Sequence, residues 1–145
     1  YIQKKLIDIN YHIYGSPKYL EKYGYPKTVN DLNKHKFISF GRGAPSPVYD
    51  PDWVLKLGMK DNKKRKTTMK VNSVYGLLLA VQSGVGLAAI PDYLTVKQPN
   101  TIKILPNVEG PITEAHFVYP QSLKNVARVQ AFRNFLYSKI SEWEF

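Results

Sequence analysis

Gly84-Val85-Gly86-Leu87-Ala88-Ala89 spells G-x-G-x-x-A, the spacing with which a dinucleotide-binding turn brings backbone N–H groups close to a pyrophosphate. That chemistry needs a strand before the glycines and a helix after them, so that the helix amino end faces the phosphates. Here the hydrophobic pattern gives the reverse order: helix, glycines, strand. The segment is therefore expected to be a helix end followed by a tight turn. No G-x-x-x-x-G-K-[ST] phosphate loop occurs.

The other reactive residue types form no set. His12, His35 and His116 lie far apart, and none has a carboxylate or second histidine three or four residues on. No metal site is expected from that spacing. His35 follows Lys34 at the end of a short helix, where its ring is expected to meet the last carbonyls. There is no G-x-S-x-G elbow. Asp50 and Asp52 flank Pro51 and read as solvated turn residues. Without cysteine there is neither a disulfide framework nor a thiolate metal site. No nucleophile, base and orienting group can be named together, so no catalytic residue and no cofactor is expected, and the chain is not expected to be an enzyme.

The elements that must position any site follow from periodicity. Residues 5–14 read as one strand, with Leu6, Ile7, Ile9, Tyr11, Ile13 and Tyr14 near alternation. Ser16 and Pro17 open a helix that Gly24 ends. A second short helix starts at Thr28. Strands are expected at 36–40, 53–55, 67–71, 86–90, 101–105 and 115–119, and 41–52 is a Pro- and Gly-rich loop. Asn72 and Ser73 are N-cap candidates for a helix carrying Val74, Leu77, Leu78 and Val81 at i, i+3, i+4 and i+7. Pro91 starts one more helical turn. Asn125 is expected to cap a long helix with the stripe Val129, Phe132, Leu136, Ile140 and Trp143. Alternating strands and helices predict an α/β fold with a largely parallel sheet.

With 145 residues, 43% hydrophobic and 22% charged, the composition is that of a globular domain. No apolar run approaches the roughly 18 residues that cross a bilayer, so no membrane partner is expected, and the location, in keeping with the lack of cysteine, is expected to be cytoplasmic. The net charge of +10 is concentrated in Lys56, Lys60, Lys63, Lys64, Arg65, Lys66 and Lys70, opposed there by Asp61. A charge block of this kind reads as a solvated loop. Aromatic residues do not interleave with it, so base stacking is not expected.

Several segments, in order, resemble the effector-binding domain of LysR-type transcriptional regulators. They are Gly15-Ser16-Pro17-Lys18-Tyr19-Leu20 with Gly24-x-Pro26, and Asp31-Leu32-x-x-His35-x-x-Ile38. Val71-Asn72-Ser73 follows with its helix, then Gly84 through Pro91, Val118-Tyr119-Pro120 and Arg128 through Leu136. The resemblance implies a type 2 periplasmic-binding-protein-like α/β fold, with one complete α/β subdomain and part of a second. On that template residues 1–14 cross in from a first subdomain, 15–114 form the second regulatory subdomain, and 115–145 cross back and end in a helix. The family's winged helix-turn-helix and the start of its first subdomain have no counterpart here. The implied partners are a small-molecule effector, further copies of the chain in a homo-oligomer, and DNA only through the helix-turn-helix. A transport-associated solute-binding protein of related fold is the competing reading, disfavoured by the missing signal-peptide pattern.

In such folds the ligand lies outside the carboxyl ends of strands, where helices begin. Two helix starts here directly follow strands, at Ser16-Pro17 and at Asn72-Ser73. The turn after strand 36–40 adds Phe40, Gly41 and Arg42, and Arg42 is suited to a bidentate pair with a carboxylate. Ser16, Pro17, Phe40, Gly41, Arg42, Asn72 and Ser73 are accordingly the expected ligand-binding residues, and a small anionic effector, a carboxylate, is the expected ligand.

Overall fold

The structure is a computed structural model that describes residues 1–41 and 50–143. In chain order the main elements are β1 (Ile2–Ile9), β2 (Tyr11–Gly15), α1 (Pro17–Tyr23), β3 (Phe37–Phe40), α2 (Trp53–Lys56), β4 (Thr67–Val71), α3 (Val74–Gln82), β5 (Ala88–Pro91), β6 (Ile102–Ile104), β7 (Thr113–Tyr119) and α4 (Ala127–Ser141). Short 3-10 turns occupy Asn30–Lys34, Asp92–Leu94 and Gln121–Leu123. The chain divides into two compact units, one of Tyr1–Ile9 with Ile112–Phe145 and one of Asn10–Pro111.

In the larger unit β3 and β4 pair in parallel, from Phe37↔Thr67 to Phe40↔Val71. A single parallel bridge, Phe37↔Leu87, joins β3 to the start of the β5 segment. β2 then pairs antiparallel with β5 on one side and with β6 on the other. Four strands therefore run one way and β2 runs against them. The expected largely parallel sheet is corrected to a mixed one. The reversal of β2 is set by its partners far along the chain, and local sequence carries no sign of strand direction.

The pleat alternates sides along each strand, so adjacent residues feed different cores. Ile13, Phe37 and Leu87 pack with Tyr19, Leu20, Leu32, Val54 and Leu55 from α1, α2 and the first 3-10 turn. Tyr14, Ile38, Ala88 and Ile90 pack with Leu77, Leu78, Ala80 and Val81 of α3. The glycines of the G-x-G-x-x-A segment are explained by geometry. Gly84 has φ +79 just past α3, and a Cβ on Gly86 would lie 2.6 Å from the Lys36 carbonyl oxygen, where the two parallel segments meet.

The smaller unit is an antiparallel pair, β1 with β7, running from Ile2↔Tyr119 to Ile9↔Thr113 with a register shift between Lys5 and Ile7. Helix α4 is tied to β1 by Tyr137 Oη, which donates to the Lys5 carbonyl at 2.8 Å. Phe132 meets the Phe117 ring edge-on at 5.8 Å.

Four expectations are corrected. Residues 5–14 are not one strand but two, broken at Asn10, whose carbonyl accepts from the Asp92 N–H. Residues 53–55 are helical, because Val54 and Leu55 must both be buried in one core and a turn of helix does this where a strand would face them apart. The second helix is a 3-10 turn that begins at Asn30. Helix α4 starts after Val126 with no side-chain cap from Asn125.

Candidate functional site

At the carboxyl ends of β3 and β4 four of the expected residues come together. The Gly41 N–H donates to the Val71 carbonyl at 2.8 Å, extending the ladder by one residue. A Cβ on Gly41 would lie 3.6 Å from the Asn72 nitrogen and 3.7 Å from the Asn72 Cβ, so the two turns touch. Phe40 packs against the α3 core. Ser73 caps α3, its Oγ accepting from the Gly76 N–H at 3.2 Å. Asn72 and Ser73 are exposed. The first N–H groups of α3 have no intrahelical acceptor, and the positive end of the helix dipole lies at this edge.

Ser16 and Pro17 are not part of this cluster, which corrects the expected convergence of two helix starts. Because β2 runs against its neighbours, its carboxyl end lies beside the amino ends of β3 and β5: Tyr14 pairs with Ala88, and Leu87 with Phe37. Ser16 is 1% exposed and spends its Oγ on the Tyr19 N–H at 3.3 Å. Arg42 lies outside the described residues.

The same sheet edge carries a polar cluster that periodicity did not reveal. The Asp92 carboxylate, just beyond β5, meets His12 Nδ1 at 2.9 Å, accepts from Tyr14 Oη at 2.9 Å, and pairs with Lys103 Nζ at 3.0 Å. Asp92, His12 and Tyr14 are buried. Burial pushes the Tyr14 phenol well above its ordinary value. Residues two apart on one strand point to the same face, so His12-x-Tyr14 is the sequence trace of this cluster, and only its acid was unassignable.

A cavity of about 360 Å³ lies between α2 and the β3–β4 pair. It is lined by Ser39, Phe40, Asp52, Leu55, Lys64, Arg65, Lys66, Thr67 and Lys70. The basic block is mostly solvated, as its composition implies, but Arg65 is buried at 8% exposure. Its guanidinium donates to Asn33 Oδ1 at 2.9 Å and to the carbonyls of Leu57 at 2.7 Å and Val54 at 3.1 Å. A fourth, longer bond of 3.4 Å reaches the Val29 carbonyl.

His35 does not meet helix carbonyls through its ring. Tyr19 Oη accepts from the Lys36 N–H at 2.8 Å, which leaves its own hydrogen for His35 Nδ1 at 3.2 Å. Burial lowers the His35 pKa, in keeping with an acceptor nitrogen. Among the described residues no group of three or more His, Asp or Glu side chains could hold a metal ion.

Comparison with known proteins gives a consistent result. The family model for the LysR substrate binding domain matches residues 1–140. An uncharacterized HTH-type transcriptional regulator of Haemophilus influenzae is 28% identical over 123 residues, covering 82% of this chain and 41% of that protein. The uncharacterized HTH-type transcriptional regulator YhjC of Escherichia coli is 26% identical over 141 residues, covering 89% and 44%. The chain thus spans less than half the length of these curated relatives. The regulatory domain of CrgA, a LysR-type transcriptional regulator from Neisseria meningitidis, matches with a TM-score of 0.75 at 20% identity, over 96% of this chain and 68% of that one. The effector domain of AmpR from Pseudomonas aeruginosa matches with a TM-score of 0.62 at 17% identity, over 96% and 65%. These likenesses establish the periplasmic-binding-protein-like α/β fold. Matched across residues 1–140, the chain belongs to the LysR substrate binding domain family, a family of transcriptional-regulator domains and not of enzymes.

Proposed function

We propose that this chain supplies one wall of the effector site of a LysR-type regulator, at the carboxyl ends of β3 and β4, and that the effector is a small organic carboxylate. The observation that carries the reading is the meeting of Phe40, Gly41, Asn72 and Ser73 at one edge, where exposed amide and hydroxyl groups adjoin the amino end of α3. Helix amino ends favour anions through free N–H groups and the dipole. The second regulatory subdomain, expected over 15–114, would be the larger unit, Asn10–Pro111, which includes β2, with β1 and β7 as the crossings on either side and α4 following the second. The whole protein would act in the cytoplasm as a homo-oligomer and reach DNA through a helix-turn-helix of the kind its relatives are named for. Those names favour a regulator over a transport-associated solute-binding protein. No helix among the described residues is long and apolar enough to cross a membrane.

The test begins with a thermal-shift screen of small organic acids, since a ligand that binds only the folded state raises its melting temperature by mass action. For a hit, Asn72→Ala is expected to weaken binding by about 1–3 kcal/mol through one lost polar contact. Titration calorimetry on the folded variants checks this. Unchanged affinity in both Asn72→Ala and Ser73→Ala would place the effector elsewhere.

A further inference from the structure

The cavity between α2 and the β3–β4 pair is distinct from the strand-end site in its chemistry. Four cations line it, Lys64, Arg65, Lys66 and Lys70, against one carboxylate, Asp52. Asp52 is already committed to Lys64, Oδ2 to Nζ at 3.1 Å. Among the described residues no carboxylate lies within ion-pair distance of Arg65, Lys66 or Lys70. Residues 42–49 contain no Asp or Glu. Arg65 is the telling member. A buried cation is ordinarily matched by an acid, yet its hydrogen bonds all go to neutral acceptors, three carbonyls and the Asn33 amide oxygen. Its charge is solvated by these acceptors and lies 5.8 Å over the Phe37 ring, and no acid among the described residues neutralises it.

We propose that this cavity is an anion site for a phosphate group, free or carried on a small molecule. The volume of about 360 Å³ holds a phosphate with a small organic body attached. The donor set selects phosphate over carboxylate. Planar bidentate capture of a carboxylate needs a free guanidinium fork, and the fork of Arg65 is spent on backbone carbonyls. What remains are the compact ammonium charges of Lys66 and Lys70 with the hydroxyls of Thr67 and Ser39, which suit a multiply charged tetrahedral anion. The uncompensated positive charge calls for more than one negative charge from the ligand. The cavity shares Phe40 with the strand-end cluster, but its charged and hydroxyl groups are its own and do not depend on that cluster's effector.

Titration calorimetry of the chain with inorganic phosphate, and separately with glucose 6-phosphate, tests this at constant ionic strength. Saturable binding of at least one is expected. Tighter binding of the sugar phosphate identifies an organic phosphate, and equal or tighter binding of inorganic phosphate identifies the free ion. Lys66→Ala with Lys70→Ala should weaken binding at least tenfold while leaving the melting temperature without phosphate unchanged, since both side chains are exposed. Thr67→Val, which keeps the shape and removes the hydroxyl, should weaken it severalfold. Lys4→Ala with Lys124→Ala, far from the cavity in sequence and in the other unit, should change nothing. No saturable heat with either probe would overturn the proposal. So would unaltered affinity in the double variant, loss of binding in the Lys4 and Lys124 control, or equally tight binding of succinate that the Lys66 and Lys70 double variant also abolishes.

Discussion

Asp92 and Arg65 are both buried charges in the larger unit, and they are handled in opposite ways. Asp92 is surrounded by groups that complement it: the His12 ring, the Tyr14 hydroxyl and the Lys103 ammonium. Arg65 has its N–H groups occupied but meets no acid among the described residues. The first arrangement closes on itself and ties β2, β5 and β6 together at one edge. The second fixes the backbone around α2 while leaving positive potential at a cavity. Hydrogen-bond satisfaction and charge neutralisation are thus separate requirements, and this domain meets both at one place and only the first at the other.

The larger effect is expected at Asp92. Asp92→Ala leaves two basic side chains and a buried hydroxyl without their shared acceptor, and stability should fall by about 3–5 kcal/mol, the usual cost of removing one partner from a buried pair. Denaturant unfolding measures it. Arg65→Met removes the charge together with its desolvation cost, but strands carbonyls at Val54 and Leu57 and the Asn33 amide. A smaller loss, about 1–3 kcal/mol, is expected. If Arg65→Met proves more damaging than Asp92→Ala, the two sites have been ranked the wrong way round.

A finer test lies in Tyr14. Tyr14→Phe deletes one of several bonds to Asp92 and should cost about 1 kcal/mol near neutral pH. Its pH signature is more specific. Burial raises the phenol pKa in the folded state above the ordinary 10.0. Above pH 10 the unfolded chain therefore releases this proton while the folded chain keeps it, and stability declines as the pH rises. Tyr14→Phe should shallow that alkaline decline without abolishing it, since burial also raises Tyr19. Unfolding midpoints between pH 8 and 11 settle the point, and identical slopes in the two proteins would contradict the assignment.

How far the sequence anticipates this arrangement depends on the range of the forces involved. Helix starts at Ser16 and Ser73 were legible, because a cap acts within three residues. The meeting of Gly41 and Asn72 was legible too, given two parallel strands each followed by a turn. The exclusion of Ser16 was not, because it rests on the direction of β2, which partners some 75 to 90 residues away decide. Composition described the basic block correctly as a whole, yet could not say which of seven neighbouring cations turns inward. That choice belongs to the carbonyls left open around α2, and those exist only once residues 53–57 have become helical against expectation. The Trp53–Lys56 segment is too short for periodicity to separate helix from strand.

The reversed strand also has a consequence in time. β2 occupies the centre of the larger unit's sheet, with β5 and β6 as its two neighbours, and Ile13 is fully buried between Ala89 and Ile104. During synthesis Tyr11–Gly15 emerges some ninety residues before its partner Ile104, and one of its flanks stays open until residue 104 has left the ribosome. For the intervening ninety or so residues, at about 5–20 residues per second, a nascent apolar strand must wait unpaired. Loop closure over such separations is slow. The segment at the centre of the finished sheet is therefore left as unpaired apolar chain until its distant partners have been made.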